Sequence, residues 1–474
     1  MVVGAGPNGL AAAVELARAG RKTLLLEAED EVGGAARSAK LTLPGFVHDI
    51  GAAITPLAID SPFMRTLPLE QLGLQWVRPT AAVAHPLDRG RAAILRGSPS
   101  ETAAGLGGDG RRYERVMGPL LRDWPKIAPA LLGPVRPTTH VAALARFAGL
   151  GAWPATGMIR TLFKTEEARG LMAGFAAHSV LPIDQMGTGA FALLFAVTGH
   201  ATGWPFPRGG IQELANAMAQ YFESLGGEIA TGTRVRSLDD IPPAGRIMLD
   251  VPPLALDEMS NGRLPRRYRR SLLRFRRGLG VFKLDYALSA PIPWQAPEVA
   301  GAGTVHLGGT LAEIAAAEAA VARGEHPERP FVLLAQQSLF DSSRVPEDKH
   351  TAWAYCHVPN GSTVDMTDRI EAQIERFAPG FKDVILARSS LAPLDLQRID
   401  SNLLGGDITG GAQTIRQIIA RPVASLNPYR TPLPGVFLCS ASTPPGGGVH
   451  GMCGYWAARA ALRGDRRPSP SPLG

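Results

Sequence analysis

A chain of 474 residues exceeds what one hydrophobic core ordinarily serves, so two domains are expected. The hydrophobic fraction of 45% and mean hydropathy of +0.03 exclude both a disordered chain and a polytopic membrane protein, leaving a soluble enzyme as the default. The formal charge of +7 does not point to nucleic acid, because the basic residues gather between Arg263 and Arg277 rather than spreading with aromatic residues along the chain.

The opening reads strand, tight turn, helix, strand. Val2-Val3 begins a short strand, Leu10 to Arg18 is an alanine-rich helix closed by Gly20, and Lys22 to Glu27 is a buried parallel strand. With Met1 running straight into Gly4, a signal peptide and export are not expected. From about Pro62 to Gly203 the pattern turns helical with weak strand signals, which suggests an inserted domain. Within it, Gln185 to Pro207 lacks Asp, Glu, Lys and Arg over 23 residues. Its glycines and prolines leave only Ala190 to Val197 strongly apolar, too short for a bilayer of ~30 Å. An amphipathic helix, Ile211 to Leu225, leads into Glu228 to Leu238, read as paired strands. Residues 263 to 277 read as an arginine-dense helix, Gly280 to Leu288 as a strand, and 311 to 323 as a helix on propensity. Gly435 to Ser440 is a short buried strand, followed by Pro444-Pro445-Gly446-Gly447-Gly448 and a final helix from about Val449 to Leu462. The Pro-, Ser- and Arg-rich tail, 465–474, reads as disordered. Cys356, Cys439 and Cys453 form no CxxC spacing, which fits a reducing, cytoplasmic compartment.

Gly4-Ala5-Gly6-Pro7-Asn8-Gly9 is a GxGxxG segment that follows a strand, opens a helix, and precedes Glu27 at the end of the next strand. That is the full dinucleotide fingerprint. Gly4 permits the tight turn, Gly6 lets a pyrophosphate approach the backbone, and Gly9 lets helix and sheet pack closely. Free N–H groups and the positive helix end hold the phosphates, while Glu27 accepts from a ribose hydroxyl.

Glu31-Val32-Gly33-Gly34-Ala35-Ala36-Arg37-Ser38 resembles the glycine-doublet motif of flavoproteins of the amine-oxidase and carotenoid-desaturase group, and Gly435 to Gly451 resembles the C-terminal flavin motif of carotenoid-type desaturases. Together with Gly45 to Gly51 and Asn402 to Gly411, these segments are similar to the phytoene desaturase/carotenoid-type FAD oxidoreductase family, nearest the pyridine nucleotide-disulphide oxidoreductase domain-containing protein 2 branch. The resemblance implies an α/β fold with an α+β insert: a Rossmann-like FAD-binding domain interleaved with a substrate domain, as in p-hydroxybenzoate hydroxylase and amine oxidases. The expected division is 1–61, 204–255 and 405–464 for FAD and 62–203 and 256–404 for substrate. It implies FAD as cofactor, held by Gly4, Gly6, Pro7, Asn8, Gly9, Glu27, Ala28, Gly33, Gly34, Ala35, Arg37, Val235, Ser440, Gly447, Gly448, Val449 and His450. A bare backbone is needed where a flat ring lies on the chain, and a helix starting near Val449 would stabilise the reduced ring.

No Ser/His/Asp triad, metal cluster or carboxylate pair is evident, and hydride transfer to flavin requires none. Two residues are candidates for the chemistry. Lys283 resembles in placement the lysine that amine oxidases keep near the flavin, and is otherwise a solvent-facing strand lysine or a paired charge. His450 is a proton carrier or ring contact, or else a cap. His48-Asp49 and Cys356-His357 read as structural. The arginine stretch is a solvated face or, as the alternative, a dock for anionic lipid, so the enzyme is expected to be cytoplasmic, with peripheral membrane contact on the second reading alone. The expected activity is dehydrogenation or other oxidation of a hydrophobic, isoprenoid- or carotenoid-like small molecule. The alternatives are an FAD amine or amino-acid oxidase, for which Trp353, Tyr355, Tyr455 and Trp456 leave an aromatic cage open, and a non-catalytic flavoprotein with an interaction role.

Overall fold

The computed structural model describes residues 1–463; the tail expected to be disordered lies outside the described residues. Five short strands form an all-parallel sheet in the order Val436–Leu438, Ile247–Leu249, Val2–Val3, Leu24–Leu26, Glu228–Ala230. Buried on both faces, such strands are continuously apolar, as in Leu24-Leu25-Leu26. The direction in which strands are added reverses between Val2–Val3 and Ile247–Leu249. In open parallel sheets ligands bind at that reversal, outside the carboxyl ends of the strands. Gly4 and Asp250 are the residues that follow those two strands. The protein is thus α/β with a Rossmann-like core.

The first helix runs Pro7–Arg18 and so starts earlier than the apolar run suggested, because Pro7 fits the first helical position after Gly6. The closing helix, Met452–Arg463, packs directly on it. At Gly454 a Cβ would stand 1.8 Å from the Asn8 carbonyl oxygen, so the two ends of the chain interlock only because that side chain is missing.

A second, seven-stranded sheet has the order Ile385–Leu391, Gly280–Leu288, His350–Val358, Val332–Ala335, Ala302–Leu307, Ala81–Leu87, Arg91–Leu95. Every pairing in it is antiparallel except Ala302–Leu307 with Ala81–Leu87. Alternation gives it two faces. Phe282, Leu284, Ala354, Cys356, Val332, Leu334 and Val305 pack on the helix Thr367–Phe377 through Ile370, Ile374 and Phe377. The other face carries Lys283 opposite Tyr355, Tyr355 opposite Leu333, and Leu333 opposite His306. Helices Gly110–Leu131, Val141–Gly151, Glu166–Ala177 and Thr188–Thr202 cover that face.

Four sequence expectations are corrected. The segment 62–203 contains the hairpin Ala81–Leu87 and Arg91–Leu95, whose alanines and Pro86 hide its alternation. Glu228 to Leu238 is not a pair of strands: only Glu228–Ala230 pairs, and the chain then turns at Gly232, whose N–H reaches the Glu29 carbonyl at 2.9 Å. The arginine-dense helix is confined to Arg266–Leu273, started after Pro265. The final helix begins at Met452 rather than Val449, because Gly448 and Gly451 hold φ of +127° and +66°. Among the described residues no helix is long and apolar enough to cross a membrane; the uncharged stretch is the helix Thr188–Thr202.

Candidate functional site

A cavity of about 860 Å³ begins at the glycine turn and ends under the helical layer. Gly6, Pro7 and Asn8 line one end, with Asp250 beside them, and Ala35 and Ala36 follow. The loop Gly447, Gly448, Val449 and His450 lines the middle with Ser440. Beyond it lie Lys283, Trp353, Tyr355, Thr304 and Leu333 from the seven-stranded sheet. The far wall is Leu131, Leu144, Phe147, Phe191, Leu194 and Phe195 from the helices, with His178.

The structure therefore brings both glycine motifs to one cavity. The remaining cofactor candidates stand behind its lining. Gly4 makes the turn at φ +95°. At Gly9 a Cβ would sit 1.9 Å from the Gly4 oxygen, so this position is closed by backbone. Glu27 is buried, accepting the Ala5 N–H at 2.6 Å and the Glu29 N–H at 2.9 Å, with Ala28 between. The Gly33 N–H reaches the Ala5 carbonyl at 2.8 Å, and Gly34 abuts Gly6. Arg37 donates to the Gly34 and Ile399 carbonyls at 2.9 and 2.7 Å. Val235 is half-buried in the loop after Glu228–Ala230.

Lys283 is buried, its Nζ bonded to Asp285 and 5.8 Å from the Trp353 ring centre. It is a paired charge rather than a solvent-facing one. Burial lowers its pKa against the pull of Asp285, and burial raises Asp285 to about 6. His48 stands 3.7 Å from Asp285, and burial lowers it to about 4. Asp49 anchors a buried network: it accepts from Arg344 at 2.7 Å, Ser38 at 2.7 Å and the Ile211 N–H at 2.8 Å. His450 accepts the Met452 N–H on Nδ1 at 3.0 Å and burial lowers it to about 4, so the neutral imidazole caps the closing helix. Cys356 and His357 belong to the strand His350–Val358 and face opposite sides of the sheet, His357 bonded to Glu318 at 2.8 Å.

Three observations fit FAD. The helix Pro7–Arg18 opens on the cavity with no cap from its N-cap residue, Gly6, and no acidic residue in its first turn; of its first N–H groups Asp250 takes the one on Gly9. Gly447 and Gly448 line the cavity with bare backbone, while the Cβ direction of Gly447 is filled by the Thr409 backbone. The cavity is continuous from that helix end to the Gly447 loop. Sequence reasoning missed Asp250, Thr304 and His178 as lining residues; the register of strands far apart in sequence gathers them, and the one local signal was the strand-ending Asp250-Val251-Pro252-Pro253.

The chain is 27% identical over 546 residues to pyridine nucleotide-disulfide oxidoreductase domain-containing protein 2 of Rattus norvegicus, covering 98% of this chain and 93% of that protein. It is 26% identical over 257 residues to hydroxyneurosporene desaturase of Cereibacter sphaeroides, covering 50% of this chain and 49% of that one. In fold it is similar to wild-type putrescine oxidase bound to putrescine, with a TM-score of 0.61, 19% identity and 98% of each chain covered. The pattern of the flavin containing amine oxidoreductase family matches residues 8–250, and the chain, an oxidoreductase whose cofactor is FAD, belongs to that family.

Proposed function

We propose that the protein is an FAD-dependent dehydrogenase that desaturates or otherwise oxidises a hydrophobic, isoprenoid-like substrate. The observation that carries this reading is the cavity wall beyond Lys283, to which the covering helices contribute apolar side chains and no charge. In this assignment Gly6 to Asn8 hold the diphosphate, Glu27 the ribose, and Gly447 to Val449 lie along the ring. His450 keeps that loop in place through its bond to Met452. Bound there, FAD supplies a two-electron acceptor for a hydride. The chain orients the C–H bond and excludes water; Lys283 takes the neighbouring proton only in the state where its own proton has passed to Asp285, a transfer that burial favours by lowering the lysine and raising the acid. The desaturase relative supports the assignment.

A second reading, amine oxidation, is favoured by Trp353 and Tyr355, whose rings stand 5.2 Å apart at 82° beside Lys283. Anaerobic mixing of the yellow protein with isoprenoids, carotenoids, amines and amino acids separates the two. Bleaching of the flavin by an apolar isoprenoid is the expected result; bleaching by amines alone transfers the assignment to the second reading.

We further propose that the protein draws its substrate from an anionic membrane surface. Leu273 and Ile419 are 54% and 62% exposed at the cavity rim, with Ile415 and Met186 beside them. Arg266, Arg267, Arg270, Arg274, Arg276 and Arg277 are exposed on the adjoining segment. Sedimentation with phosphatidylserine vesicles, but not with phosphatidylcholine vesicles, is the expected outcome. L273E/I419E should abolish it while leaving flavin content unchanged.

A further inference from the structure

Asp250 follows the strand Ile247–Leu249 at the reversal of the parallel sheet. Its Oδ2 accepts the Gly9 N–H at 2.8 Å, and a Cβ on Gly6 would stand 3.1 Å from the same oxygen. The carboxyl therefore lies in the throat of the glycine turn, 5% exposed, lining the cavity with Gly6, Pro7 and Asn8. Glu27, at the end of Leu24–Leu26, and Asp400, after the helix Pro393–Ile399, both act on it as like charges. Arg37, the cation near Asp400, bonds backbone carbonyls instead. Cys439, just after the strand Val436–Leu438, and Cys453, in the closing helix, stand near Asp250, and burial raises both thiols. Asn402 bonds only the Asp250 main-chain oxygen, at 2.9 Å. Burial first, then Asp400 and Glu27, raise Asp250 to about 8 against the Gly9 N–H.

A dinucleotide diphosphate adds negative charge to this throat, and no cation is bonded to Asp250 among the described residues. We propose that Asp250 is the neutral, proton-bearing contact for the FAD diphosphate, so that binding carries one proton into the site whenever Asp250 starts ionised. This rests on FAD being held through the glycine turn. The balance is simple: carboxylate, FAD and one hydrogen ion from solvent become the carboxylic acid and bound FAD, with no bond of FAD altered.

The test follows release of flavin fluorescence when the yellow holoenzyme is diluted across a pH series. The dissociation constant of the wild type should be flat below the ionisation of Asp250 at about 8 and rise roughly tenfold per pH unit above it. Asp250→Asn keeps an acceptor for the Gly9 N–H and offers an N–H to phosphate, so its profile should be flat, and tighter than wild type at high pH. Asp250→Ser, a smaller neutral donor, decides the matter if the first variant does not fold. ADP, used as a competitor, should show the wild-type slope, which places the linkage at the diphosphate and away from Lys283. A flat wild-type profile, a slope that survives in Asp250→Asn, a pH-independent ADP constant, or folded variants that keep no flavin at any pH would each overturn the proposal. A wild type colourless at every pH would instead remove the turn-bound FAD on which it rests.

Discussion

At Lys283 one side chain sets the protonation of the next. Breaking a buried pair by removing one partner costs roughly 3–5 kcal/mol when the other stays charged. Asp285, left alone in Lys283→Met, has an escape. Its folded pKa of about 6 already exceeds the ordinary carboxylate value and climbs further without the lysine. A raised pKa means that the stability tied to the neutral acid is complete at low pH and disappears as pH rises through the folded value. Lys283→Met should therefore lose little stability at pH near 5 and up to about 2.7 kcal/mol near 8, at about 1.4 kcal/mol for each pH unit above the wild-type ionisation. Urea unfolding at both values checks this, and an equal loss at each would refute it. A second contrast separates cofactor from fold within the glycine turn. A Cβ at Gly6 meets only the Asp250 carboxyl, at 3.1 Å, whereas one at Gly9 meets the Gly4 backbone at 1.9 Å. Gly6→Ala should fold with little flavin; Gly9→Ala should lose the thermal transition itself.

Among the elements, those built from local chemistry were legible and those built by partners were not. The helix Leu311–Ala322 announces itself by alanine content, and Thr310 with Glu313 completes a capping box at its start. The strand Gly280–Leu288 was readable from its apolar run, but not the depth of Lys283 within it, which depends on the helices above. Ala81–Leu87 was illegible because alanine, histidine and proline have no strand preference; its neighbours Ala302–Leu307 and Arg91–Leu95 hold it. Both glycine motifs could be read as places for bare backbone. Asp250 was not singled out: Pro252 and Pro253 mark the end of its strand, but the nearness to Gly9 comes from the pairing of strands far apart in sequence. The closing helix gives the sharpest element-scale prediction. Gly454→Ala would drive a methyl to 1.8 Å from the Asn8 oxygen, parting the two helices that hold the glycine turn. Flavin content and melting temperature should fall together in this variant, while Gly262→Ala, at an exposed position with open space around it but a φ of +76°, should lower stability modestly and leave flavin content intact.

Taken whole, the molecule wraps one cavity with parts drawn from both sheets and from the helical layer. Gly6 belongs to the parallel sheet's first turn, Lys283 to the mixed sheet, and Phe147 to the helices, yet all three line the same space. A ligand that touches every part of a fold stabilises the parts jointly, because it binds only where they are assembled. At a free concentration a hundredfold above its dissociation constant, such a ligand adds about 2.7 kcal/mol. The holoprotein should accordingly melt in one transition whose midpoint rises with added FAD. Stripped of flavin, the chain should melt lower, and hydrogen exchange should quicken both around Gly447 and in the strand Gly280–Leu288. Calorimetry with and without excess FAD reads this directly. If FAD moved only one of two separable transitions, the cavity would not be bridging the sheets, and the flavin would be the property of the parallel sheet alone.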